Sequence, residues 1–409
     1  MLGRRQLPVA SPVTLPSLAG AVWPALTQRT APLRALDAAL RSRFEARQVV
    51  LTDSGTSALV LALRLACGRG GTVAFPGYAC VDLAAAARYA GVRVRLYDVD
   101  PGTLSPDLES LAGALKRGAD AVVVAPLYGI PVDMHEVAVL ANRYCATIIE
   151  DAAQGAGAML DGKPVGALGT LSILSFGRGK GLSGGSGGAL LSRDARFDDQ
   201  VAGLAATVGR PRPGWSELAA ASAQWALGRP RLYGIPSAIP TLRLGEMVYH
   251  PAHEPRSLSA ASAALVCRAL DRSDREVAIR RRIAAALAMA AEEGADICAP
   301  RPIPGAVPGY LRFPVLDGGT RAARPDLGIL RGYPRTLHEQ EELRPVLVPG
   351  EPPTPGAETL RRSLFTLPTH SMLERADIER LGEWLRVPTR IFVPGARAGR
   401  VAEGTCRSA

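Results

Sequence analysis

The feature that most constrains this chain is an alternation of short apolar runs with helical patterns from residue 49 to residue 175. Residues 49–51 read as a strand, 53–56 as a turn, and 57–66 as a helix with Leu59, Ala62, Leu63 and Ala66 along one face. Strands at 72–75, 92–97, 121–125, 147–150 and 171–174 follow. Between them lie helices at 81–89, from Ser105-Pro106 onward, and at 133–144. Serine as the cap and proline in the first turn mark the second of these helices. Such a rhythm predicts parallel strands joined by right-handed crossovers, in a doubly wound α/β sheet with helices on both faces. Ligands of such sheets bind beyond the carboxyl ends of the strands, so the turns after the strands are where chemistry is expected.

Composition sets the outer bounds. A chain of 409 residues predicts one large domain and a smaller one. With 47% apolar and 21% charged residues it is globular. Its net charge of +10 is spread without a basic run, which argues against nucleic-acid binding. The six cysteines show no C-x-x-C spacing, so no metal site or disulfide framework is expected and the cytoplasm is the expected compartment. Prolines at 8, 12, 16 and 24 interrupt any signal-peptide core after Arg4-Arg5. No apolar run reaches the length of a membrane span.

Three features gather at the strand ends. Ser54-Gly55-Thr56-Ser57 opens a helix, where free N–H groups and the helix dipole suit a phosphate and Gly55 permits close approach. A simple N-cap is the alternative. Asp151 leaves an apolar strand, as a ligand carboxylate or a plain cap. Lys180 sits in a glycine-rich loop after the strand at 171–174. Lysine occurs only at 116, 163 and 180 in an otherwise arginine-based chain. An amine can condense with a carbonyl where a guanidinium cannot, so the choice of lysine there suggests covalent chemistry. A phosphate-binding P-loop is excluded, because Gly181 follows the lysine and position 174 is leucine. A phosphate cradle, a carboxylate and a lone lysine at one sheet edge are the parts that pyridoxal 5'-phosphate requires.

In order along the chain, residues 51–59 (LTDSGTSAL), 97–104 (YDVDPGTL), 126–129 (PLYG), 149–154 (IEDAAQ), 165–169 (VGALG) and 175–180 (SFGRGK) resemble the DegT/DnrJ/EryC1/StrS family. Thinner matches lie at 333–338 (YPRTLH) and 367–370 (LPTH). The resemblance implies a fold type I pyridoxal-phosphate enzyme. Its large domain carries a mostly parallel doubly wound sheet flanked by helices, and a smaller α+β domain follows at the C-terminus. It makes Lys180 the Schiff-base lysine and proton shuttle, and Asp151 the partner of the pyridine nitrogen. Gln154 is expected near the cofactor's 3-hydroxyl, with Gly55, Thr56 and Ser175 at the phosphate. Either Tyr78 or Cys80 covers the ring, since cysteine stands where the family places an aromatic residue. Glu254 replaces an asparagine that relatives lend to a neighbouring subunit, which leaves Arg256 for that phosphate contact. His338 and His370 are weaker candidates for facing substrate, with structural hydrogen bonding as the alternative.

The expected organisation is an N-terminal arm at 1–30, a large cofactor-binding domain at 31–265 with an insertion at about 201–255, a small domain at 266–390 and a disordered tail at 391–409. A helix is expected over 261–293, a strand at 310–315, a helix at 321–330 and a last helix at 378–385. Apolar residues with basic and aromatic flanks at 215–235 suggest a lid or dimer contact, with peripheral membrane contact as the rival. The resemblance implies a homodimeric aminotransferase that moves an amino group, expected from glutamate, onto a keto-sugar nucleotide in two half-reactions, in a pathway such as polysaccharide biosynthesis. A sugar dehydratase using the same cofactor and a non-catalytic regulatory relative are the alternatives.

Overall fold

The computed structural model describes residues 4–27, 30–211, 213–239, 241, 247–319 and 321–387; the tail expected at 391–409 lies outside them. The strands of the first half are β1 (Gln48–Thr52), β2 (Thr72–Pro76), β3 (Arg93–Tyr97), β4 (Ala121–Val124), β5 (Thr147–Asp151), β6 (Met159–Leu160), β7 (Lys163–Pro164), β8 (Leu171–Ser175) and β9 (Gly188–Ser192). Seven of them form one sheet in the order β1-β9-β8-β5-β4-β2-β3. The neighbours from β8 to β3 run parallel, and β9 runs antiparallel to both of its partners.

The helices are α1 (Leu15–Thr27), α2 (Ala31–Phe44), α3 (Gly55–Cys67), α4 (Asp82–Ala90), α5 (Leu108–Lys116), α6 (Met134–Arg143), α7 (Asp198–Thr207), α8 (Trp215–Leu227), α9 (Gly234–Ser237), α10 (Ala260–Glu292), α11 (Pro355–Ser363) and α12 (Arg375–Arg386). Strand β4 illustrates how the sheet is held. Val123 points into a core with Leu59, Leu63, Phe75 and Leu83 on the α3 and α4 side, while Val122 and Val124 pack with Leu111 and Val137 of α5 and α6. That alternation is the two-residue period of a strand covered on both faces. Each such buried side chain contributes about 1.5–3 kcal/mol of apolar burial.

A second sheet, in the order β10-β12-β14-β13, comprises β10 (Ile297–Cys298), β12 (Phe313–Asp317), β13 (Leu330–Arg331) and β14 (Leu364–Leu367). The short β11 (Ala306–Val307) instead joins β6 and β7. The second sheet packs on α10 and α12 through Ile283, Leu287, Phe313, Val315, Phe365 and Trp384. Helix α10 crosses the border expected at 265/266 without a break.

Three expectations are corrected. The proline-rich arm contains α1, which tolerates Pro24 because Leu18, Ala21 and Ala25 bury against Leu218, Ala261 and Leu265; that packing offsets the roughly 3 kcal/mol cost of a helical proline. Helix α5 begins at Leu108 because the Asp107 carboxylate accepts from the Ser110 amide at 2.8 Å, whereas Ser105 is engaged by the Asp133 amide. The helix expected at 321–330 is instead a single turn at Pro325–Leu327 followed by a strand. Gly328 turns left-handed there, and Arg321 is drawn inward to Asp317 and the carbonyls of Trp384 and Leu385.

Candidate active site

The parallel strands deliver their following residues to one edge of the sheet, and most of the expected site residues meet there. At the start of α3 the Ser54 hydroxyl accepts from the Ser57 amide at 3.0 Å and fixes the first turn. Gly55 is pressed against Ser175 at the end of β8. A Cβ on residue 55 would lie 2.8 Å from the Ser175 Cβ, so only glycine lets the two turns close into a cradle.

Asp151 ends β5, half-buried, and its carboxylate accepts one hydrogen bond, from the Ala153 amide at 3.1 Å. Burial raises its pKa, an effect that the nearby Lys180 charge and that amide partly offset. Lys180 is half-buried and lies within electrostatic reach of both Asp151 and Cys80. The loop carrying it is clamped from outside. The Gly181 amide donates to the Ser11 hydroxyl at 3.0 Å, and Gln224 of α8 donates to the Ser11 carbonyl at 2.7 Å. A Cβ on Gly181 would sit 2.4 Å from the Ala156 Cβ, so that turn also requires glycine.

Cys80 and Tyr78 part company. Tyr78 is fully buried beneath the site and its hydroxyl accepts from the Tyr333 amide at 2.6 Å. Cys80 is half-buried near Lys180, with its thiol donating to Asp82 at 3.3 Å. Burial and Asp82 push that thiol up to about 12, which keeps it protonated and unreactive. Gln154 is held on both ends, accepting from the Tyr128 amide at 3.1 Å and donating to the Tyr333 hydroxyl at 2.7 Å.

Tyr333 was visible in the sequence only as the first letter of a thin motif, and Tyr128 only within the 126–129 stretch. Their rings stand 6.4 Å apart, with Tyr333 also 5.2 Å from Tyr78. Arg312, which no sequence signal singled out, joins them through its backbone, whose N–H donates to the Tyr128 carbonyl at 3.4 Å.

The remaining candidates lie apart. Arg256 is exposed, and only its backbone meets the site, through Asp53 next to the α3 turn. Glu254 is engaged by the Tyr89 hydroxyl at 2.6 Å. His338 is exposed on the short turn at Leu337–Glu339. His370 is buried under the N-terminal arm, its Nε2 hydrogen-bonded to the Leu7 carbonyl at 2.9 Å.

The arrangement fits pyridoxal 5'-phosphate. The Gly55–Ser175 cradle is tight, Thr56 beside it is half-buried with no side-chain hydrogen bond among the described residues, and the Asp151 carboxylate keeps acceptor capacity in reserve beside an amine.

Known proteins resemble this chain in sequence and in fold. A model of the DegT/DnrJ/EryC1/StrS aminotransferase family matches residues 25–386. L-Glutamine:2-deoxy-scyllo-inosose aminotransferase of Streptomyces lividus is 36% identical over 241 residues, 57% of this chain and 50% of that protein. UDP-N-acetyl-3-dehydro-alpha-D-glucosamine 3-aminotransferase of Acidithiobacillus ferrooxidans is 34% identical over 173 residues, 42% of this chain and 47% of that protein. The chain thus spans about half the length of the curated relatives it matches. The crystal structure of TlmJ, an aminotransferase from Streptoalloteichus hindustanus, shares the fold with a TM-score of 0.72 at 23% identity, over 94% of this chain and 98% of that one.

Proposed function

The chain belongs to the DegT/DnrJ/EryC1/StrS aminotransferase family, and on that premise we propose that it transfers an amino group from a small amino donor to the ketone of a sugar nucleotide, with pyridoxal 5'-phosphate as cofactor. The observation that carries the reading is the convergence of Lys180, Asp151 and the Gly55–Ser175 cradle at one sheet edge.

Bound pyridoxal 5'-phosphate supplies a ring that withdraws electrons from the donor's α-carbon. In this reading Lys180 would hold the cofactor through its amine and would move a proton at the donor α-carbon. Asp151 keeps a proton on the pyridine nitrogen, and its partial burial strengthens that charge-assisted hydrogen bond. Gly55, Thr56 and Ser175 would hold the phosphate, Gln154 would serve the 3-hydroxyl, and Cys80, half-buried near Lys180, would serve the ring in place of the fully buried Tyr78. His338 and His370 have no role in it.

The dimeric form and the cytoplasmic compartment belong to the same proposal. The outward Arg256 side chain, tied by its backbone to the α3 turn, is suited to serving a second copy. Helix α8 and the arm over the lysine loop favour a lid role for the insertion over peripheral membrane contact. A second acceptor class has a specific basis, since the Streptomyces relative is named for a cyclitol ketone and for glutamine as donor. Incubation with L-glutamate or L-glutamine and a panel of keto-sugar nucleotides and 2-deoxy-scyllo-inosose, followed by mass detection of an aminated product, tests the reading. An aminated sugar nucleotide is expected; an aminated cyclitol moves the acceptor to the second class, and loss of water without amination overturns amino transfer.

A further inference from the structure

Among the described residues no carboxylate pairs with Arg312 or is among the ionisable groups that act on it. Arg321 is paired with Asp317 at 3.0 Å and Arg95 with Glu351 at 2.7 Å. Arg312, half-buried just before β12, donates from Nη1 to the Thr366 hydroxyl at 3.2 Å, and the ionisable groups acting on it are Tyr128, Tyr333 and Tyr233. Burial drives Tyr333 well above the ordinary phenol value and Tyr128 up to about 12. Both stay protonated, so they can hydrogen-bond to a ligand without cancelling the guanidinium charge. A cation withdrawn from water with only neutral neighbours is costly, and the cost is recovered when an anion binds.

The position of this cation connects it to the site. The Tyr333 hydroxyl bonds Gln154 and lies within electrostatic reach of Asp151 and Cys80, and Cys80 in turn is near Lys180. Tyr233 lies within electrostatic reach of both Arg312 and Arg178, and Arg178 is exposed on the lysine loop. The site therefore carries two arginines at different depths. An exposed one suits a hydrated diphosphate, whereas a half-buried planar fork whose ionisable neighbours are phenols suits a single carboxylate held in two parallel hydrogen bonds.

We propose that Arg312, with Tyr333 and Tyr233, is the receptor for the carboxylate of the amino donor, leaving Arg178 to the acceptor's phosphates. The proposal rests on the aminotransferase reading, because only a reaction at an amino acid's α-carbon places a carboxylate one bond from the atom that Lys180 serves. Because Arg312 directly precedes β12 of the second sheet and its N–H bonds the Tyr128 carbonyl, donor binding there would tie that sheet to the large one.

The test uses the full-length, cofactor-loaded protein and does not depend on turnover. Calorimetric titration with glutarate, a dicarboxylate with no amine to transfer, and with UDP separates the two anion sources. For Arg312→Gln we expect glutarate binding to weaken by about 30-fold or more while UDP binding stays within about threefold, with Arg312→Lys intermediate. In single half-reactions the same variants raise the apparent Kd for L-glutamate. Glutarate that binds Arg312→Gln as tightly as the wild type, no glutarate binding by the wild type, or loss of UDP binding in place of glutarate binding would each overturn the assignment. Should both variants fail to fold, competition on the wild type decides: glutarate must displace L-glutamate and not UDP. If the Lys180→Ala variant holds the cofactor's visible band unchanged, the aminotransferase reading itself has failed, whatever Arg312 does.

Discussion

Glu150 and Asp151 are consecutive carboxylates on β5, and they face opposite sides of the sheet. Glu150 is fully buried and saturated: the amides of Gly166, Leu168 and Gly169 donate to it at 2.8, 2.9 and 3.0 Å, and the Ser172 hydroxyl at 3.0 Å. Asp151 receives one amide and faces an amine. A carboxylate has about four acceptor sites, so Glu150 has none to spare while Asp151 holds most of its capacity open. What separates the two acids is unspent hydrogen-bonding capacity, which only Asp151 has available for a ligand. Glu150 fastens the 164–172 connection beneath the sheet, and that fastening holds β8, and with it the lysine loop, against the strand that presents Asp151.

The contrast can be broken by substitution. The largest effect is expected on the open side. Lys180→Ala should lower the amino-transfer rate by about 10²–10⁴-fold with the circular dichroism spectrum unchanged. Asp151→Asn should cost about 10²–10³-fold in kcat. Its effect on stability runs the other way. An acid whose native pKa is raised binds more protons folded than unfolded, so the cofactor-free protein loses stability as pH climbs through the native value. Removing the charge should therefore leave the melting temperature of the cofactor-free variant at or above that of wild type at pH 7.

On the closed side the signs reverse. Glu150→Gln replaces acceptors with a donor facing donors, and should lose about 2–4 kcal/mol in denaturant melts while the folded fraction keeps most of its activity. His370 sharpens the same distinction. Buried against the arm, it is held down to about 4. A histidine with a depressed native pKa binds fewer protons folded than unfolded, so stability drops as pH falls from about 6.5 toward that value, by about 2–3 kcal/mol. His370→Gln should flatten this slope in melts between pH 7 and pH 4. Smallest is Ser54→Ala, which removes the cap of α3 and should cost about 1 kcal/mol.

Much of the closed side was illegible in the sequence. Strands β2 and β4 announced themselves because every residue in them is buried, and runs of that kind leave little choice. Glu150 could not be read as a fastener, because three of its four donors are backbone amides that carry no residue signature. The open side was more legible, since Asp151 ends a strand, Gly55 and Lys180 come shortly after strands, and the sheet rule sends all three to one edge. Arg312 escaped because it sits more than a hundred residues downstream and before a strand of the second sheet. The arm's helix escaped because its prolines read as breakers, while contact with α8 and α10 supplies stabilisation.

The central claim is that Lys180 is the covalent anchor of the cofactor. The chain offers three lysines, at 116, 163 and 180. Loading the protein with pyridoxal 5'-phosphate, reducing with borohydride and mapping the label by peptide mass spectrometry distinguishes them in one experiment. The account predicts a single pyridoxyl label on Lys180; a label on Lys116 or Lys163 instead, or no label on a protein that holds the cofactor, would contradict it.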